Sequence, residues 1–302
     1  MTHIQSIDFA QPRDTLAAAV NSAFTEIGFM LVHNIGIDQD LLQQVYAASA
    51  TFFKGSQSIK QQCAYRSAEE NFGYQGLLQE NLDPSAPADL KETFTMRNIV
   101  NRPLPAQRWP DDNFRQLMTA LYTNVFTASQ TLQRLLAHIL GLPDDFFVTC
   151  HNGENSTLRL LYYPANAAVD IQSGQLGAGA HTDYGMLTFL FQDNVGGLQV
   201  QGLDGQWLDV ATEPGSVVIN CGDLLERWTN GRYKSTLHRV QPRIGTQHRL
   251  SIAMFLDPDS DTQVAAIPSC VSENNPAKFP PVTAGEHIQQ MLNASHKDRY
   301  PS

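Results

Sequence analysis

Residues 187–201, L-T-F-L-F-Q-D-N-V-G-G-L-Q-V-Q, contain two short runs rich in Leu, Val and Phe on either side of a D-N-V-G-G break. Apolar runs of this kind, bounded by Gly, Asn and Asp, read as β-strands joined by a turn. The pattern recurs outward at Leu158–Tyr163, Ser216–Asn220, Ser235–Gln241 and Arg249–Leu256. Six such segments at short spacing predict an antiparallel sandwich or barrel.

Upstream of Thr157 the period changes to that of helices. Leu16, Val20, Phe24 and Ile27 recur at helical spacing, with Asp14 as the expected cap and Gly28 as the stop. Phe29–Val32 reads as a strand. A second helix is expected over Gln39–Phe53 and a third over Phe114–Leu140, which Gly141 and Pro143 end. Gly285–His296 reads as a last short helix. The expected plan is one catalytic domain over 1–302. In it, 1–156 is mainly helical and walls a pocket, 157–260 is the β core that carries the site, and 261–302 is a C-terminal extension.

The 302 residues carry 20 Lys+Arg against 30 Asp+Glu, a net charge of −10, with 42% hydrophobic residues. That composition supports a sizeable core and argues against a general nucleic-acid binder or a partner of acidic membranes. No apolar run is long enough to span a bilayer, and no basic n-region marks a signal peptide. Cys63, Cys150, Cys221 and Cys270 are far apart in sequence, so they form no CxxC pair, and free thiols in a reducing cytoplasm are expected.

Of the nine histidines, His181 stands out, in G-A-H-T-D-Y-G with Asp183 two residues on. On an extended segment, residues two apart share a face, so both side chains can grip one ion. His238, in the strand-like S-T-L-H-R-V, supplies a third ligand. Two imidazoles and one carboxylate form the facial triad of non-haem iron, which leaves positions open for oxygen chemistry. A zinc hydrolase can use the same three ligands, so the triad alone does not name the metal. Arg249 and Ser251, in R-L-S, also share a strand face. A hairpin folding at about Arg243–Ile244 is expected to pair His238 with Arg249 across a ladder. That pairing sets a carboxylate-binding guanidinium beside the metal. A dicarboxylate could then chelate iron at one end and meet Arg249 at the other.

Taken together, these segments resemble the 2-oxoglutarate and Fe(II)-dependent oxygenases of the isopenicillin-N-synthase-like type. The resemblance runs through I-D-F, G-F-M-L-V-H-N-I-G-I, T-F-F-K, F-G-Y-Q-G, D-L-K-E-T-F, R-W-P and L-R-L-L-Y-Y-P. H-T-D, N-G-R-Y-K-S-T-L-H-R-V and R-L-S-I-A-M-F complete it. H-T-D-Y-G followed by Q-D-N-V-G-G-L is particularly similar to bacterial members. The resemblance implies a double-stranded β-helix (jelly-roll) core with flanking helices. It implies Fe(II) held by His181, Asp183 and His238, with 2-oxoglutarate and O2 as cosubstrates. Arg249 and Ser251 would bind the distal carboxylate of 2-oxoglutarate. Tyr163 matches a tyrosine that often joins them, although Leu161 stands where plant members commonly have Asn.

The implied reaction releases succinate and CO2 while oxidising, by default hydroxylating, a small organic metabolite. The chemistry is iron-centred, with no separate acid or base residue. Tyr184, Phe72, Tyr74, Leu77, Met96 and Phe191 are the expected substrate contacts in a mainly apolar pocket. Two other readings stay open: a same-fold Fe(II) oxidase that does not use 2-oxoglutarate, and a barrel-fold binding protein without catalysis.

Overall fold

The computed structural model describes residues 3–83, 86–165, 171–242 and 246–296. The first half runs β1 (Gln5–Asp8), α1 (Arg13–Glu26), β2 (Phe29–His33), α2 (Gln39–Lys54), α3 (Gln57–Gln62), β3 (Phe72–Gln75), β4 (Glu92–Arg97) and α4 (Asp112–Ile139). The β-rich half runs β5 (Thr157–Tyr163), β6 (Ala178–His181), β7 (Leu187–Gln192), β8 (Leu198–Gln201), β9 (Trp207–Asp209) and β10 (Val217–Cys221). It continues with α5 (Asp223–Trp228), β11 (His238–Val240), β12 (Arg249–Leu256), β13 (Gln263–Val264), β14 (Val282–Thr283) and α6 (Ala284–His296).

Two sheets form the core. The larger has eight strands in the order β1-β2-β10-β7-β12-β5-β4-β3, and the smaller has four in the order β6-β11-β8-β9. Period-2 alternation sends each strand's side chains to opposite faces. In β10, Val217 and Ile219 join the helices in one apolar cluster, while Val218 joins the other. That second cluster fills the space between the sheets, where Phe29, Leu31, Tyr163 and Val218 meet Ala178, Leu198, Val200 and Val240. The arrangement is a jelly-roll with α1, α2 and α4 packed on the outer face of the large sheet.

The helices start where local chemistry allows. The Asp38 carboxylate accepts the Leu41 N–H at 3.0 Å, and Asp111 accepts the Phe114 N–H at 2.7 Å, so α2 and α4 carry side-chain caps. The expected cap at Asp14 is not one. Pro12 holds the cap position of α1, and Asp14 sits in the first turn, where its charge favours the helix dipole.

The first half also holds more strand than its periodicity suggests. β1, β3 and β4 join β2 in the large sheet, so residues 1–156 build part of the barrel as well as its helical cover. These strands are short, and in T-F-T-M the polar residues alternate with apolar ones, which leaves no long hydrophobic run to read.

Gly28 closes α1 with φ +72°, donating to the Ala23 carbonyl at 3.0 Å. A Cβ there would lie 2.0 Å from the Lys234 carbonyl oxygen. Gly28→Ala therefore combines left-handed strain with a backbone clash and is expected to cost about 3 kcal/mol or more. Chemical denaturation should show a lower midpoint at unchanged slope; an unchanged midpoint contradicts this packing.

Candidate metal centre

β6 and β11 pair antiparallel, with His181 opposite His238. The register brings their rings to 4.3 Å between centroids. Asp183 follows in the loop after β6, and its Oδ1 lies 3.9 Å from His181 Nε2 and 3.7 Å from His238 Nε2. All three donor atoms fall within 4.8 Å of one another, as in no other group of three or more His, Cys, Asp or Glu among the described residues.

The far atom of each ligand is already engaged. His181 Nδ1 lies 2.7 Å from the Gly179 carbonyl and His238 Nδ1 3.1 Å from the Thr236 carbonyl. A carbonyl only accepts, so each Nδ1 carries the proton and each Nε2 keeps a lone pair for a metal. Asp183 Oδ2 accepts from Thr188 Oγ1 at 2.5 Å and from Asn220 Nδ2 at 2.7 Å, which leaves Oδ1 facing the histidines.

Burial, together with His238, pushes the His181 imidazole below its usual range. Burial also raises the Asp183 carboxyl, but His238, His181, Asn220 and Thr188 outweigh it and hold the group below the usual carboxylate range. Two imidazoles and one carboxylate, each turned to one point by a hydrogen bond on its far atom, fit a divalent metal of the facial-triad type.

The loop before β4 braces this centre. Asp89 Oδ1 accepts the Gly179 N–H at 3.0 Å, and its Oδ2 lies 2.6 Å from the ammonium of the fully buried Lys91.

Arg249 does not pair with His238. His238 belongs to the small sheet, whereas Arg249 pairs with Tyr163 in the large sheet. The expected turn at Arg243–Ile244 lies outside the described residues. The two residues therefore stand on facing sheets and are not neighbours on one ladder. Arg249 donates to Ser251 Oγ at 3.0 Å and to Gln192 Oε1 at 2.9 Å, and its guanidinium stacks 4.8 Å from the Tyr163 ring centroid.

Gln192 lies four residues along β7 from Thr188, on the same face. Thr188, which bonds Asp183, and Gln192, which bonds Arg249, thus face one interior, about 13 Å apart along the strand. Arg249 is 1% exposed, its Nε has no hydrogen-bond partner, and no ion pair with a carboxylate is present among the described residues. A buried cation left without a counter-charge is costly, and a ligand carboxylate would supply one.

The expected substrate contacts divide by face. Phe72, Tyr74, Met96 and Phe191 lie in the cluster under the helices, on the outer side of the large sheet. Phe72 packs edge-to-face on Phe94 and Trp109 at 5.4 and 4.7 Å, and the Tyr74 hydroxyl bonds Glu92. Their places are set by core packing, which corrects the expected pocket role. Tyr184 beside the metal ligand and Leu77 after β3 are half-buried.

The interior face instead carries Thr93, Thr95, Arg159, Leu161, Leu190 and Phe255. Arg159 donates to Thr95 at 3.2 Å and pairs with Glu80. Sequence reading missed these, and also Thr188, Gln192 and Asn220. The available signal was a polar residue on the alternate face of an apolar strand, as in L-T-F-L-F-Q and V-V-I-N-C.

Comparison with known proteins adds five findings. The 2OG-Fe(II) oxygenase superfamily pattern matches residues 154–258, and the N-terminal pattern of the non-haem dioxygenases in morphine synthesis matches residues 4–116. The proline hydroxylase buaE of Petromyces alliaceus is 32% identical over 90% of this chain and 90% of its own. The 2-oxoglutarate-Fe(II) type oxidoreductase hxnY of Emericella nidulans is 30% identical over 90% of this chain and 81% of its own. A full-length Neurospora crassa protein, solved in complex with alpha-KG and thymine, superposes with a TM-score of 0.85 at 31% identity, covering 96% of this chain and 97% of that one.

Proposed function

This chain belongs to the 2OG-Fe(II) oxygenase superfamily, and from that premise we propose a residue-level assignment of its site and its reaction. His181, Asp183 and His238 hold Fe(II). Arg249 binds the distal carboxylate of 2-oxoglutarate, helped by Ser251 and Gln192, and Tyr163 stacks beneath the guanidinium. When bound, the metal supplies the O2 chemistry that couples decarboxylation of 2-oxoglutarate to succinate and CO2 with oxidation of a substrate C–H bond.

The protein's own groups position and shield. Thr188 and Asn220 fix the Asp183 carboxylate, the two backbone carbonyls fix the imidazole tautomers, and the apolar cluster between the sheets excludes water. The substrate is a small organic molecule, in keeping with the relatives named for proline and solved with thymine, and hydroxylation is the outcome. Leu161, Leu190 and Phe255 offer it apolar surface, and Thr93, Thr95 and Arg159 offer polar contacts. The whole chain acts as one catalytic unit, with 157–260 carrying the site, 1–156 completing and covering the barrel, and 261–302 as an extension. No helix among the described residues is long and apolar enough to cross a membrane, and four free thiols suit a cytoplasmic setting.

One observation carries the assignment: three donor atoms converge while the far atom of each ligand is already hydrogen-bonded. A metabolite screen with Fe(II), O2 and 2-oxoglutarate tests it by succinate release. Succinate should form only when 2-oxoglutarate and Fe(II) are both present. Oxygen uptake that needs Fe(II) but neither consumes 2-oxoglutarate nor makes succinate would shift the assignment to a same-fold oxidase.

A further inference from the structure

α5 begins where two ligand-bearing segments meet. Its first backbone groups bind the loop that carries Asp183: Asp223 N–H donates to the Asp183 carbonyl at 2.8 Å, and Leu224 N–H donates to the Gly185 carbonyl at 3.0 Å. The approach is close enough that a Cβ on Gly222 would lie 2.4 Å from the Gly185 oxygen and 2.9 Å from the Asp183 oxygen.

The Asp223 side chain reaches the other way. Its Oδ1 accepts from Ser235 Oγ at 2.6 Å, three residues before His238, and the intervening Thr236 carbonyl holds His238 Nδ1. His287 of α6 covers the far oxygen, with Nε2 at 3.6 Å from Asp223 Oδ2. That nitrogen is buried and has no hydrogen-bond partner of its own.

We propose that Asp223 is a positioning residue that spans two metal ligands. Through its backbone it holds the Asp183 loop, and through Ser235 it holds the segment delivering His238. The distance between these two ligands is thereby fixed before metal arrives. A hydrogen bond shielded by α6 is stronger than a solvated one, and residues behind metal ligands commonly control affinity about 10- to 100-fold. The inference rests on the metal assignment above.

The test is anaerobic Fe(II) titration of the full chain, with Ser235→Ala, Asp223→Ala and the double variant. Ser235→Ala should weaken Fe(II) about tenfold. Asp223→Ala should weaken it at least as much, and adding Ser235→Ala to it should change nothing further. Wild-type affinity in Ser235→Ala overturns the proposal, even if its unfolding midpoint falls. So do losses that multiply in the double variant. If Asp223→Ala does not fold, Ser235→Ala alone decides. His181→Ala in the same titration separates the two ideas. If wild type and His181→Ala bind Fe(II) alike, the metal assignment fails and this inference with it. If only His181→Ala loses binding, the assignment stands and Asp223 has no such role.

Discussion

Asp183→Ala is expected to weaken Fe(II) binding by more than the ~100-fold upper end seen for loss of outer partners, because it removes a ligand itself. The substitution deletes the sole carboxylate donor of the set and leaves two imidazoles. The loss is specific in kind as well as size. Thr188 Oγ1 and Asn220 Nδ2, which now donate to Asp183 Oδ2, are left without that acceptor at a cost of roughly 1–3 kcal/mol each in stability. Turnover of 2-oxoglutarate should fall to background. The absorbance band of an anaerobic Fe(II)–2-oxoglutarate complex reads the site directly. A variant that develops the band at wild-type Fe(II) concentration would remove Asp183 from the ligand set.

Arg249→Met should separate cosubstrate binding from folding, with opposite signs. Truncating one side of a buried charge pair costs about 2–5 kcal/mol, about 30-fold or more in 2-oxoglutarate Kd. The unliganded protein is a different case. Arg249 is buried there against Gln192, Ser251 and Tyr163, with no carboxylate partner among the described residues. Methionine fills comparable space without charge, so the unfolding midpoint without cosubstrate should rise. The same 2-oxoglutarate concentration, about 100 times the wild-type Kd, should add about 2.7 kcal/mol to the wild type and no more than about 0.9 kcal/mol to the variant. Fe(II) affinity should stay near wild type. Equal 2-oxoglutarate affinity in the two proteins, or a lower midpoint for the unliganded variant, would refute the role given to Arg249.

The chemistry-bearing residues were legible where a strand's period of two did the sorting. Arg249 and Ser251 share a face of β12 as that period requires, whereas β6 ends at His181 and Asp183 reaches the same point from the loop that follows. Leu187–Gln192, Leu198–Gln201 and Arg249–Leu256 match observed strands residue for residue. What failed was the assignment of faces to surroundings. In E-T-F-T-M-R, Phe94 and Met96 alternate with Thr93, Thr95 and Arg97, so the two faces were separable. Phe72, Tyr74, Met96 and Phe191 were expected to line the pocket, yet the helices claim that face, and in β4 the interior takes Thr93 and Thr95. The link from His238 to Arg249 was misread for another reason. A short connection between two strands suits a hairpin within one sheet as well as an arch between two. Only the partners of β11 and β12 distinguish them, and those partners are distant in sequence.

The place of β2 has a consequence for how the chain comes to life. Phe29–Val32 pairs with Val217–Asn220, so the strand carrying Asn220 gains this neighbour from the opposite end of the sequence. During synthesis at about 5–20 residues per second, β2 waits roughly 10–40 s for its mate to emerge. Its ladder groups are unpaired on that side for the whole interval, and pairing across so large a separation is intrinsically slow. A truncation that removed the chain through His33 would bare the edge of β10 directly behind the metal, turning a catalytic wall into a surface for self-association.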